Sequence, residues 1–462
     1  MSESRREISE AELRMGSAPL LKLMLVLSLP LVFSTTVQAL YNIVDSIFVA
    51  RYSDNALIAL SIVFPVQLLM LAFATGTGVG VNALIAITLG RGKPDDANNV
   101  ARHGLFLSVV NAALFTVVMY LLMPLYFSVS TSIPEVYGMG IGYTRIILIF
   151  SFGIFTESVC SRIMQATGRM TIPMIAQVVG AVINIVLDPI LIFGLFGFPE
   201  AGVEGAAAAT VIGQIAAMII SLYGVLKTRD VICIRAADYR GFRPQIPVIR
   251  QIMKMALPSI FMQALYTVYI FGLNLILAGF SESAVSVLGI YYKLQTFLII
   301  PMQGISQATM PIMSYCYGAG FKKRLRNSLI YCFGLSMIFL VIGTFAFIFC
   351  PESLVRIFTD SPEVIDIGRS GIRIIGFSLI PFCGSMVFPY FFQAIGFGRS
   401  SMLLTVMRQI ILMVPVAWLM SFFGLTYVWL TFPVSETVTC LTGILMLWYL
   451  RKRIIPDPVP GK

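Results

Sequence analysis

The chain has 462 residues, of which 58% are hydrophobic and only 12% charged, and its mean hydropathy is +0.89. An ordinary soluble domain carries about 25% charged residues, and a β-barrel would show alternating segments of roughly ten residues. Long apolar runs recur along the whole length instead, which leaves an all-α polytopic membrane protein. The net charge of +10 does not point to nucleic acid, because the positive residues sit between apolar runs, where a membrane protein places them.

In chain order, a tail over residues 1–19 precedes a first span near 20–50. No signal peptide is expected, since this first apolar run is too long and continues as a span. Its stretch LSLPLVFSTTVQALYNIVDSIFVA (27–50) is apolar enough for a bilayer, yet contains Pro30 and Asp45. An ionised carboxylate inside a membrane helix costs at least about 2.5–3.5 kcal/mol, so such groups usually face a cavity and act. Pro30 has no N–H and leaves the carbonyl of Val26 without its helix partner, which predicts a hinge. A titratable group and a hinge on one helix suggest an ion-coupled transporter.

Further spans are expected near 55–89, 101–127, 137–165, 170–196 and 203–226, then near 247–279, 284–316, 328–350, 366–393, 401–424 and 427–450. A helical span needs roughly 20 apolar residues, and all twelve qualify. The glycines of TGTGVGV (75–81) lack the GK[ST] of a phosphate loop and read as small-residue helix packing. Connections after spans two, four, six, eight and ten carry basic residues such as Arg91, Lys93, Arg169, Arg229, Lys322 and Arg399, whereas those after spans three, five, seven and eleven carry none. Arg51 and Arg356 are the exceptions. This asymmetry predicts cytoplasmic N- and C-termini. Residues 228–245 form the longest polar connection and read as a linker between a first lobe, 20–227, and a second, 246–450, with a cytoplasmic tail over 451–462.

The two halves repeat. A shift of 228 takes Leu29-Pro30 to Leu257-Pro258, Gly76 to Gly304, Gly92 to Gly320, Asn99 to Asn327, and Gln165-Ala166-x-Gly168 to Gln393-Ala394-x-Gly396. Six spans is an even number, so the second half enters the membrane from the same side and the repeat is parallel. The expected fold is therefore two pseudo-symmetric six-helix lobes.

Four acidic residues fall well inside spans: Asp45, Glu157, Asp188 and Glu436. The same shift sets Leu273 opposite Asp45 and Val416 opposite Asp188, so the ion site is expected in the first lobe alone. Asn184 and Asp188 of span five are four apart and share a helix face. Pro189 disfavours helical geometry at Asp188 and frees the carbonyl of Ile185, a second candidate hinge. Two carboxylates, an amide oxygen and a freed carbonyl suit a small hard cation. Two carboxylates brought together also resist joint ionisation, which makes the pair a proton acceptor. The residues alone leave Na⁺ and H⁺ both open. Glu157 is a candidate contact for a cationic substrate or a partner for Arg162; Glu436 is a candidate second-lobe site or a partner for Lys293 or Arg408. The seven cysteines lack CxxC spacing and the chain has one histidine, His103, so neither a disulfide framework nor a zinc site is expected.

Pro30 and Asp45 in span one, LGRGK after span two, NIVLDPI in span five, GAAxAT in span six and QAxG ending spans four and ten together resemble the multidrug and toxic compound extrusion (MATE) family, in its DinF-like and MepA-like prokaryotic branches. The resemblance covers nearly the whole chain. It implies a twelve-helix exporter that exchanges drugs and toxic organic cations for Na⁺ or H⁺. It further implies a first-lobe network at Asp45, Asn184, Asp188, Tyr143 and Thr210, with substrate contacts at Gln38 and the neighbourhood of Glu157; Tyr41, three residues on from Gln38, is a further candidate substrate contact. The family often carries amides near that last position, so the acid is a departure. The expected protein is a monomeric antiporter of the plasma (inner) membrane, in contact with lipid, with no cofactor beyond its coupling ion and no enzymatic activity. The alternative is a lipid-linked oligosaccharide flippase of the same superfamily, which would need a strongly cationic cavity.

Overall fold

A computed structural model describes residues 15–227, 231–234 and 242–454. Among these residues there is helix and no strand. The first half comprises α1 (Leu20–Tyr52), α2 (Asp54–Gly90), α3 (Pro94–Ser130), α4 (Pro134–Ile149), α5 (Phe152–Ala166), α6 (Thr171–Phe193) and α7 (Gly202–Lys227). The second comprises α8 (Ile246–Ala278), α9 (Glu282–Gly318), α10 (Lys322–Phe349), the short α11 (Pro351–Arg356), α12 (Pro362–Gly376), α13 (Leu379–Ala394) and α14 (Gly398–Val406). A seven-residue π-helical turn, Met407–Met413, then leads into α15 (Val414–Ser421), α16 (Leu425–Val428) and α17 (Thr431–Ile454).

Among the described residues, ten helical stretches are long and apolar enough to cross a membrane alone, and two bent pairs pass the same test when each pair is taken together, for up to twelve spans. These pairs, α4 with α5 and α12 with α13, bend by 46° and 54° at corresponding places in the two halves. At the first bend Thr116 of α3 donates to the carbonyl of Leu148 at 2.7 Å and bonds the Ser151 hydroxyl at 2.9 Å, satisfying the carbonyl that the break releases. Large apolar side chains such as Leu121, Val129, Phe297 and Leu445 stand exposed on the helices, as lipid-facing residues do.

The repeat read from the sequence is a repeat of structure. Ser53 caps α2 by accepting from the N–H of Ala56, and Ser281 caps α9 by accepting from Ala284. Gly92 and Gly320 close α2 and α9 with φ of 71° and 74°, values that glycine adopts without strain.

By packing, the chain divides into two compact units, one built on Leu29–Ile260 and the other on Pro19–Ser28 with the chain from Phe261 onward. The divisions fall beside Pro30 of α1 and Pro258 of α8. The first unit is organised around a core that includes Val49, Leu60, Val63, Phe127, Ile147 and Val211. Its glycine run does pack helices. A Cβ on Gly76 would stand 2.5 Å from the Ile260 side chain, and one on Gly80 would stand 2.7 Å from the carbonyl of Ile252, so α8 lies directly on α2.

The described parts of the connection between the halves are tied down. Val231, Ile232 and Ile234 are buried, and the Cys233 N–H donates to Asn98 Oδ1 at 2.8 Å. The Gln245 N–H donates to His103 Nε2 at 2.9 Å, while His103 Nδ1 faces the carbonyl of Asn99 at 2.8 Å. These partners require the tautomer protonated at Nδ1. His103 thus has a structural task. All seven cysteines are free.

Candidate functional site

The site is assembled in the first unit where α6 and α7 touch backbone to backbone. A Cβ on Gly213 of α7 would stand 2.5 Å from the carbonyl of Gly180 on α6, and one on Gly180 would stand 2.8 Å from the carbonyl of Gly213. Nothing larger than glycine fits without moving a helix. This approach lets Asn184 of α6 reach Thr210 of α7, its Nδ2 donating to Oγ1 at 3.3 Å. Gly213→Ala should therefore force the helices apart, at about the 1–3 kcal/mol typical of overpacking. Thermal unfolding should register the loss.

Asn184 Nδ2 also donates to Asp188 Oδ1 at 3.3 Å, the four-residue pairing expected from the sequence. Asp188 is fully buried and Asp45 of α1 nearly so, at 0% and 9% exposure, and their carboxyl groups are in hydrogen-bond contact. Two carboxylates can touch only with a proton or a cation between them. Among the described residues, no Lys or Arg acts on either one. Asp45 Oδ1, Asp188 Oδ2 and Asn184 Oδ1 are buried and accept no hydrogen bond. The cluster thus offers hard oxygen ligands and a proton acceptor, with no built-in counter-charge.

Tyr143 of α4 is fully buried beside this cluster; its hydroxyl bonds Thr210 and accepts from Gln67 Nε2 at 2.7 Å. All five network positions, Asp45, Tyr143, Asn184, Asp188 and Thr210, therefore come together. Gln67 was missed by reading the sequence. Its only signal was the repeat, which places Gln295 at the matching position, where it likewise donates to a tyrosine, Tyr291, at 2.7 Å.

Tyr41 bonds Gln38 and lies within electrostatic reach of Asp45, Asp188 and Glu157, so these side chains share one neighbourhood. Glu157 is half-buried and accepts from Ser161 at 2.6 Å, with Ser221 behind and Arg162 acting on it at longer range. Arg162 itself donates to Gln165 Oε1 at 3.1 Å.

Two expectations change in detail. Pro189 does not interrupt α6, which runs as helix from Thr171 to Phe193 through Asp188; the glycine-mediated packing on α7 outweighs the proline's local bias. Pro30 likewise lies inside a continuous α1. In the second unit Glu436 of α17 takes Arg408 as its partner, with Arg408 Nη2 to Oε1 at 2.8 Å, while Lys293 lies over the ring of Phe358 at 5.6 Å.

The MatE family profile matches residues 30–190 and again 258–419, two copies that begin at Pro30 and Pro258, in the register of the internal repeat. The multidrug export protein MepA of Staphylococcus aureus is 24% identical over 447 residues, covering 95% of this chain and 96% of the relative. The FAD transporter of Shewanella oneidensis is 25% identical over 449 residues, covering 96% of each. A solved structure described as the outward-facing conformation of a multidrug resistance MATE family transporter of the MOP superfamily superposes with a TM-score of 0.89 at 26% identity, covering 98% of this chain and 100% of the other. With two profile copies spanning most of its length, the chain belongs to the MatE family and is a multi-pass membrane transporter of its MepA-like branch.

Proposed function

We propose that the protein is a secondary-active antiporter of the plasma membrane, with both termini in the cytoplasm. It exports bulky cationic or amphipathic compounds in exchange for H⁺ or Na⁺ bound at Asp45 and Asp188. The observation that carries this reading is the contact between two buried carboxylates with no cationic side chain acting on either. An ion entering there relieves their repulsion, and it can shift the protein's conformation only by the difference in its affinity for two states. Pro30 supplies the pivot of α1 in the proposed cycle. In support, the carbonyl of Val26 has lost its partner, and the two compact units divide one residue away.

Cationic cargo is favoured by Glu157, a half-buried carboxylate in the neighbourhood of Tyr41. A dinucleotide such as the cargo named for the Shewanella relative carries phosphates and would call for uncompensated cations. So would a lipid-linked sugar. The three candidate cations for that role are occupied: Arg408 with Glu436, Lys293 over Phe358, and Arg373 donating to the carbonyl of Ile348.

The test is efflux of a fluorescent organic cation from proteoliposomes under separately imposed Na⁺ and pH gradients. One gradient should drive efflux and so name the ion. Efflux indifferent to both gradients, or undecaprenyl-lipid binding in its place, would overturn the antiporter reading.

A further inference from the structure

The second unit keeps part of the first unit's site and replaces its charges. The 228-residue shift carries Tyr41 to Tyr269 and Gln67 to Gln295, but Asp45 to Leu273, which is buried, and Tyr143 to Gly371, whose missing side chain is replaced by the ring of Trp429. Glu157 is carried to Ser385. This serine donates to a carboxylate that has no counterpart in the first unit, Glu436.

Every face of Glu436 is taken. Arg408 Nε donates to Oε1 and Oε2 at 2.9 and 3.0 Å, Nη2 adds a contact to Oε1 at 2.8 Å, and Ser385 bonds Oε2. The guanidinium lies 5.2 Å over the ring of Phe382, and both charged side chains are almost wholly buried, at 5% and 2% exposure. Tyr266 and Tyr269 of α8 and Tyr291 and Tyr292 of α9 also surround Arg408, and Cys440 approaches Glu436 from α17 itself. These groups are neutral near physiological pH. Among the described residues, the pair therefore holds the charge of this neighbourhood, plus against minus.

Arg408 reaches its position by a break in regular helix. It is the second residue of the π-helical turn Met407–Met413, and such turns are rare and usually mark function. At the matching place in the first unit stands Gly180, pressed on Gly213 with no room for a side chain.

We propose that Arg408 is a tethered cation that keeps the second unit's carboxylate site permanently filled, so that coupling ions exchange in the first unit alone. Arg408 thereby sets the number of ions moved per cycle. A guanidinium does not deprotonate in proteins and cannot diffuse away, so the Glu436 oxygens it holds are closed to a coupling ion while Arg408 is present. This inference rests on the ion-coupled reading of Asp45 and Asp188.

The experiment compares the wild type, Arg408→Met, Arg408→Gln and Arg408→Met/Glu436→Gln, as full chains in lipid nanodiscs. Radioactive sodium binding and proton uptake on acidification are read for each, and the ion-to-drug flux ratio is measured in proteoliposomes. Arg408→Met should gain one ion site per chain and a higher flux ratio, and the double variant should lose both gains. Arg408→Gln can still donate to Glu436, so it keeps the test open if the methionine variant misfolds, and the same gain is expected. Equal ion binding and equal flux ratios in folded single and double variants would overturn the proposal. Failure of the first-unit reading registers separately, as a wild type whose ion binding is unchanged by Asp45→Asn.

Discussion

Asp45→Asn is expected to abolish ion-driven drug efflux while leaving folding and membrane insertion intact. Two unit like charges at about 4 Å repel by about 4 kcal/mol at an effective dielectric constant near 20, and the Asp45 and Asp188 carboxyls approach closely enough to share a hydrogen bond. A proton or Na⁺ bound between them removes that repulsion. Moving a two-state equilibrium from 1:99 to 99:1 takes about 5.5 kcal/mol, and relief of this contact contributes to that swing to the extent that the carboxylates stand apart in the other state. An amide at position 45 removes the repulsion permanently and can donate to Asp188, which imitates the loaded state. The variant should sit on one side of the cycle, bind drug and fail to turn over. Its unfolding temperature should match or exceed that of the wild type and should no longer respond to the coupling ion. Ion-driven efflux at the wild-type rate from Asp45→Asn proteoliposomes would rule out the carboxylate pair as the coupling site.

Much of this was legible because it rests on local rules. Twelve apolar stretches of bilayer length correspond, among the described residues, to ten long apolar helices and two bent helix pairs, and the Asn184–Asp188 face followed from a spacing of four residues. The repeat paired Gly92 with Gly320, and both end their helices at positive φ. What could not be read depends on partners far along the chain. The bend between α4 and α5 has no proline to announce it; it is held by Thr116, a residue of another helix. The π-turn adds a residue per turn without a compositional mark, and it decides which cation reaches Glu436. Lys293 and Arg408 were equal candidates from the sequence, because the choice depends on helix rotation. The connection 228–245 looked like a plain polar linker, yet its described parts are pinned by Asn98 and His103, whose role only the fold discloses.

Glu436→Ala should be the most damaging single substitution in the second unit. It leaves the guanidinium of Arg408 buried at 5% exposure with its main acceptor gone, and breaking a buried pair in this way costs about 3–5 kcal/mol. The charge cannot escape by deprotonation, as a lysine's could, and the neighbouring tyrosines and Met386 offer only weak acceptors. The double variant Arg408→Met/Glu436→Gln removes both charges and keeps most of the volume. It should recover most of the lost stability, because the desolvation that the pair overcomes is then no longer incurred. Thermal unfolding of the wild type, Glu436→Ala, Arg408→Met and the double variant makes the comparison. Arg408→Met should be milder than Glu436→Ala, since a buried carboxyl can take up a proton where a guanidinium cannot lose one. Arg408→Ala separates a charge pair from mere packing: a charge pair keeps it milder than Glu436→Ala, whereas if side-chain volume governed the site, truncating the longer arginine to alanine would cost at least as much as truncating the glutamate.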